Sequence, residues 1–192
     1  MTDITTTVRL GELDRPALAT HFLALGAEDR RLRFGASISD DGLRDYVARI
    51  DFERDGLFAV QGEQLQVIAA VHIATTGHAA ELGLSVLPDV RGRGYGDALF
   101  RRAVTFLRNR GVREVFVHCL AENGAMMHLA RKNGMGVTHS AGETDARLAL
   151  DPATADSFVN EWLDDQKGRA VQAVRANARI AATFYALLAP QR

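Results

Sequence analysis

The sequence predicts a mixed α/β domain, a mostly antiparallel sheet flanked by helices, followed by a C-terminal helical extension. Three observations predict it. Runs rich in Val, Ile and Leu at Leu57 to Val60 and Leu65 to Thr75 are separated only by Gln61-Gly62-Glu63-Gln64, a hairpin signature. A β-helix-β run from Ala80 to Cys119 supplies one parallel crossover. After Asp151-Pro152 the chain turns helical and alanine-rich, which divides a domain at 1–150 from an extension at 151–192.

Taken in order, Thr5 to Leu10 mixes β-branched and apolar residues and reads as the opening strand. Leu13, Leu18, His21, Phe22 and Leu25 then recur at helical spacing. Asp29 to Gly35 reads as a polar connection, after which Ser39 caps a helix whose Leu43, Tyr46, Val47 and Ile50 share one face. The hairpin follows. Ala80 to Leu87 is a strand stopped by Pro88, and Gly94 to Arg110 a helix directing Leu99, Phe100, Ala103, Val104 and Leu107 inward. Arg113 to Cys119 is a buried strand and Asn123 to Asn133 a short helix, before closing strands at Gly136 to Thr138 and Ala146 to Leu150. Ser157 to Asp165 and Arg169 to Leu188 are helices broken at Lys167-Gly168. In the second, Val171, Val174, Ala178, Ala181 and Tyr185 form a stripe suited to packing on the domain or on a second copy in a homodimer.

Charge and cysteine content remove several function classes. The 23 basic residues are balanced by 24 acidic ones, so the chain is not a globally basic nucleic-acid binder. Cys119, the one cysteine, excludes a disulfide scaffold and points to the cytoplasm. No membrane span or leader is expected, and the histidines lack metal-ligand spacing, so no metal is expected.

The chemistry concentrates in Arg91-Gly92-Arg93-Gly94-Tyr95-Gly96-Asp97, where a strand gives way to a helix. Unpaired amides at a helix start donate to anions, and glycines let an anion approach them. Arg91 and Arg93 add positive charge, so a pyrophosphate fits this loop. The G-x-G-x-G spacing is neither the dinucleotide fingerprint nor a P-loop, which needs a lysine absent here.

Arg91 to Gly96 matches the R/Q-x-x-G-x-G/A signature of the GNAT superfamily of N-acetyltransferases, and Asn123 to Met135 resembles that family's Asn-helix-Gly-Phe segment. Leu32-Arg33-Phe34, Ser39, Asp51, Arg54, Ala80-Glu81 and Glu122 to Ala130 are similar to the GNAT domain of Pat-type bacterial protein lysine acetyltransferases. The resemblance implies the GNAT (acyl-CoA N-acyltransferase) fold over roughly residues 5–150, with acetyl-CoA as cosubstrate between the Ala80 and Arg113 strands. It further implies that backbone at Leu84, Ser85 and Val86 meets the acetyl and pantetheine portion. Arg91, Gly92, Arg93, Gly94, Tyr95, Gly96 and Asp97 would hold the pyrophosphate, and Asn123 would contact the cofactor arm.

An amine must lose a proton before it attacks a thioester. Glu81 matches the Pat-type general base. His118, on the strand before Asn123, competes for that role, with a buried, hydrogen-bonded histidine as its other reading. Cys119 reads as a buried thiol on the opposite face. The tyrosine that protonates the leaving thiolate in many relatives falls at Ala130, leaving Tyr95 and Tyr185 as candidate donors. The expected activity is direct acetyl transfer, in a ternary complex, to a protein lysine or a small amine; a non-catalytic acyl-CoA sensor is the alternative.

Overall fold

Seven strands form one sheet in the order β1-β2-β3-β4-β5-β7-β6 in the computed structural model, which describes residues 5–140 and 142–188. They are β1 (Val8–Arg9), β2 (Gly56–Gln61), β3 (Val67–Thr76), β4 (Ala79–Val86), β5 (Glu114–Leu120), β6 (Gly136–Ser140) and β7 (Glu143–Ala149). The predicted crossover holds: β4 and β5 are parallel, and every other described pairing is antiparallel. The helices are α1 (Arg15–Leu23), α2 (Ala27–Phe34), α3 (Asp40–Ala48), α4 (Tyr95–Arg108), α5 (Gly124–Lys132) and α6 (Ala155–Leu188).

Strand alternation divides the core between the sheet's two faces. Val71, Ile73, Ala80, Leu82, Val115 and Val117 meet Leu99, Phe100, Ala103 and Leu107 of α4. Leu57, Ala59 and Ala70 meet Leu18, Phe22, Leu43 and Val47 from α1 and α3 on the other face. Each fully buried Leu or Phe contributes about 2 kcal/mol from removal of apolar area from water. The same alternation turns Glu81, Gly83 and Ser85 toward the face of α1 to α3, while Leu82 and Leu84 turn toward α4.

Ser39 caps α3 as expected, its hydroxyl accepting from the Gly42 amide at 3.1 Å. Elsewhere the structure corrects the sequence reading. Asp29 to Gly35 is no loop: residues 27–34 form α2, which ends where Gly35 takes φ 76°. Leu13 lies in a short 3-10 turn, fully exposed rather than on a buried helix face. The opening strand is short, and Leu65 turns the hairpin at φ 65° instead of joining β3. His118 is exposed on β5, whereas Cys119 is buried on the opposite face as expected.

The largest correction concerns α6, which runs unbroken through Lys167-Gly168. Gly168 is a contact, not a breaker: a Cβ there would stand 2.8 Å from the Thr7 carbonyl oxygen. The helix docks by polar groups at helical spacing. Glu161 accepts from Asn109 at 2.6 Å, Asp165 pairs with buried Arg102, and Arg175 donates to the Gln61 carbonyl at 2.6 Å. Of the stripe expected to pack on the domain or on a second copy, Val171 is half-buried, Val174, Ala178 and Ala181 are exposed, and the Tyr185 side chain lies outside the described residues. Phe158, Val159 and Trp162 also face outward. Among the described residues no helix is long and apolar enough to cross a membrane.

Candidate active site

Parallel pairing of β4 with β5 covers only Ala79, Ala80 and Glu81, matched to Glu114, Val115 and Phe116. Beyond these partners β4 stays paired to β3 as far as Val86, so its other edge is released where the two strands part. Backbone groups on a released edge must find other partners. The space between the strands opens into a cavity of about 420 Å³.

Leu25, Asp29, Leu32 and Arg33 line one side of it, and three further segments complete the lining. Leu84, Ser85 and Val86 come from β4, Arg91, Gly92 and Gly94 to Asp97 from the following loop and the start of α4, and Asn123, Met126 and Leu129 from α5 and its cap. The loop starts α4 because Gly92 and Gly94 take φ 75° and 80°, conformations that side-chain-bearing residues adopt at a cost. The first amides of α4 have no carbonyl one turn back to accept from them, so they remain donors beside the cavity. At Gly96 a Cβ would meet Leu129 only at 3.7 Å, an ordinary contact. The fold does not need glycine there, whereas an anion approaching the amides does.

Electrostatics organise the rim. Arg91 pairs with Asp29 at 2.7 Å and donates to the Val86 carbonyl at 3.2 Å. Asp97 is held below the usual carboxylate range: burial pushes it up, but hydrogen bonds from Asn133 and Lys132 and the charge of Arg101 outweigh that. Arg93 does not line the cavity, unlike the other loop positions expected to hold a pyrophosphate. Asn123 accepts from Met126 N as the cap of α5 and donates from Nδ2 to the Leu32 carbonyl at 3.2 Å. Ala130 is fully buried and Tyr95 lines the cavity.

Helix α2 roofs this cleft, which the sequence reading missed. Besides Asp29 with Arg91 and Leu32 with Asn123, Arg31 pairs with Glu122 at 2.6 Å, so α2 is tied to both walls. Ser85 also has an unforeseen partner. The His21 ring donates from Nδ1 to the Val67 carbonyl at 3.0 Å, leaving Nε2 to accept the Ser85 hydroxyl at 2.8 Å. Burial pushes the His21 pKa down to about 4, so the ring is neutral near pH 7.

Neither candidate base lines the cavity itself. Glu81 is exposed at the fork of the strands, with no hydrogen bond or ion pair among the described residues, and its charge is felt at His72. His118 lies on β5 beyond the fork, bound through Nδ1 to Asp145 at 2.8 Å, and that hydrogen bond raises its pKa. Among the described residues no three His, Cys, Asp or Glu side chains gather as a metal site would need.

Residues 26–135 match the acetyltransferase (GNAT) family. No curated protein matches the sequence. Among solved structures, the chain is similar to the GNAT domain of S. lividans PAT, with a TM-score of 0.66 at 20% identity over 75% of this chain and 89% of that one. It is also similar to the ribosomal-protein-S18-alanine N-acetyltransferase of Escherichia coli, with a TM-score of 0.57 at 21% identity over 78% and 95%. The spermidine N-acetyltransferase of Vibrio cholerae, in complex with CoA and spermine, gives a TM-score of 0.58 at 18% identity over 76% and 94%.

Proposed function

The chain belongs to the acetyltransferase (GNAT) family, and we propose that it transfers an acetyl group from acetyl-coenzyme A to a primary amine by direct transfer in a ternary complex. The observation that carries this reading is the parting of β4 from β5 beyond Glu81, with a glycine-arginine loop and free helix-start amides at the open end. The residues fit the cosubstrate. Gly92, Gly94 and Gly96 leave room over the amides for a pyrophosphate, Arg91 adds charge at that rim, and Leu84, Met126 and Leu129 give apolar walls for an uncharged arm. Bound acetyl-coenzyme A supplies an acyl group already activated as a thioester.

We assign the chain's own residues as follows. Glu81, free of partners at the fork, takes the proton from the incoming ammonium directly or through a water. His118 is engaged by Asp145 on β7 and takes second place. The released edge of β4 at Leu84 to Val86 orients the acyl carbonyl through backbone groups. The buried single thiol, Cys119, fits a reducing compartment, the cytoplasm. Residues 1–150 form the catalytic unit in this reading, and a second copy covers the outward face of α6 around Trp162 in a homodimer.

The test is thiol release from acetyl-coenzyme A with purified protein across lysine peptides and small amines. Release dependent on both substrates supports the assignment; tight coenzyme binding with no release across the panel would instead identify a sensor.

A further inference from the structure

Among the described residues that line the cleft, one cation has no ion-pair partner. Three arginine or lysine side chains line the cavity: Arg91, Lys132 and Arg33. Arg91 pairs with Asp29 at 2.7 Å and Lys132 with Asp97 at 3.2 Å. Arg33 has no carboxylate within ion-pair distance among the described residues, and its one hydrogen bond runs from Nη2 to the Tyr46 hydroxyl at 3.2 Å. Its Nε is buried without a partner.

The same guanidinium is held firmly from behind. Tyr46 donates its hydroxyl hydrogen to His72 Nδ1 at 2.6 Å, and His72 donates from Nε2 to Asp55 at 3.1 Å. Phe34 lies 4.8 Å from the guanidinium carbon, with Phe22 and Tyr46 each at 5.9 Å. Gly83, opposite His72 in the β3-β4 register, makes the seat: a Cβ there would fall 2.0 Å from Arg33 Nη2. A planar fork fixed this way, with no carboxylate paired to it among the described residues, suits a carboxylate.

Position selects the ligand. Gly83 precedes Val86 by about 10 Å of extended chain, so Arg33 is removed from the phosphate-holding loop, and the pantetheine stretch between carries no charge. Glu81 and Gly83 are on the same face of β4, about 7 Å apart along the strand, and no ion pair joins Glu81 to Arg33. One carboxylate and one guanidinium side by side, each unpaired, match an acceptor carrying both an ammonium and a carboxylate.

We infer that Arg33 anchors a carboxylate of the acceptor, so that the substrate is a small amine of the amino-acid class. This rests on the acetyl-transfer reading above. The ammonium end meets Glu81 while the carboxylate end meets Arg33, and Tyr46, His72 and Asp55 position the guanidinium without touching substrate.

The experiment compares matched acceptors with the full chain: phenylalanine with phenethylamine, lysine with cadaverine, and a lysine peptide. Thiol release is expected at a KM at least tenfold lower for the carboxylated member of each pair. Arg33→Gln is expected to abolish that preference by raising KM for the amino acids while leaving the decarboxylated amines unchanged, and Arg33→Lys to restore part of it. Preference for the decarboxylated amines or the peptide, or an equal loss on both members in Arg33→Gln, would overturn the inference. Absence of release with every acceptor sinks the acetyl-transfer reading instead. Titrating the coenzyme-saturated protein with the same amino acids then decides Arg33: binding lost in Arg33→Gln upholds the anchor, and no binding removes it.

Discussion

Glu81 and Phe116 are the last parallel partners of β4 and β5, and the cleft begins immediately past them. Glu81→Gln keeps the strand and its shape while removing the charge. Turnover is expected to fall at least about 100-fold, the usual range for a lost general base, with coenzyme affinity within twofold of wild type. His118→Asn is expected to change turnover less than about threefold. Rate constants and coenzyme titrations on the two variants check this, and a reversed ranking would move the base to His118.

Gly96 separates binding from stability. Alanine in its helical position contributes up to about 1 kcal/mol of helix propensity, and its Cβ meets only Leu129 at ordinary contact distance. Gly96→Ala should therefore raise the melting temperature slightly while weakening coenzyme binding about tenfold or more. Calorimetry of unfolding and of binding on one preparation would show it; unchanged affinity would place the phosphates elsewhere.

His21 sets an acid limit on the fold. Its pKa is about 4 when folded, against 6.5 for a free imidazole, because burial disfavours the charged ring. The contribution is complete above pH 6.5 and is lost as pH falls toward 4, since the unfolded chain takes up the proton first. Roughly 3 kcal/mol is at stake, the shift multiplied by 1.36 kcal/mol per unit. Urea midpoints from pH 8 to pH 4 should fall more steeply for wild type than for His21→Asn; equal slopes would remove His21 as the cause.

Gly168→Ala places a methyl 2.8 Å from the Thr7 carbonyl, a backbone atom that cannot swing aside. Overpacking of this kind costs about 1–3 kcal/mol. Urea unfolding should show that loss even though alanine favours helices, and a stabilised variant would mean that α6 does not rest on β1.

Trp162 is the one tryptophan of the chain and is 60% exposed. If a second copy covers α6, its emission should shift to the blue and its quenching by iodide should weaken as protein concentration rises. Trp162→Arg should then sediment as a monomer where wild type does not. Concentration-independent emission would leave the homodimer without support.

The parts of the site legible in the sequence are those whose chemistry is local. Gly92, Gly94 and the start of α4 lie within a few residues of one another, and turn geometry plus helix-start amides are read directly from that order. Ser39 and Asn123 announce their helices for the same reason. Helix α2 was hidden because Asp29-Arg30-Arg31 carries the charge of a loop, while the pairs that support it reach to Asp40, Arg91 and Glu122. His21 with Ser85, 64 positions apart, leaves no local trace. Gly168 misled because one glycine can break a helix or admit a neighbour, and only the strand beneath it tells which.

Arg91 meets Asp29 before it meets any phosphate. An arriving monoanion would exchange one carboxylate contact for another of similar strength, with little net gain. A diphosphate brings more charge and more acceptor oxygens than the carboxylate it displaces, and it also engages the free amides of α4. In the proposed function the loop therefore ranks anions by charge density, and abundant small carboxylates should compete poorly for a place that a strong magnet for any negative ion would have given them.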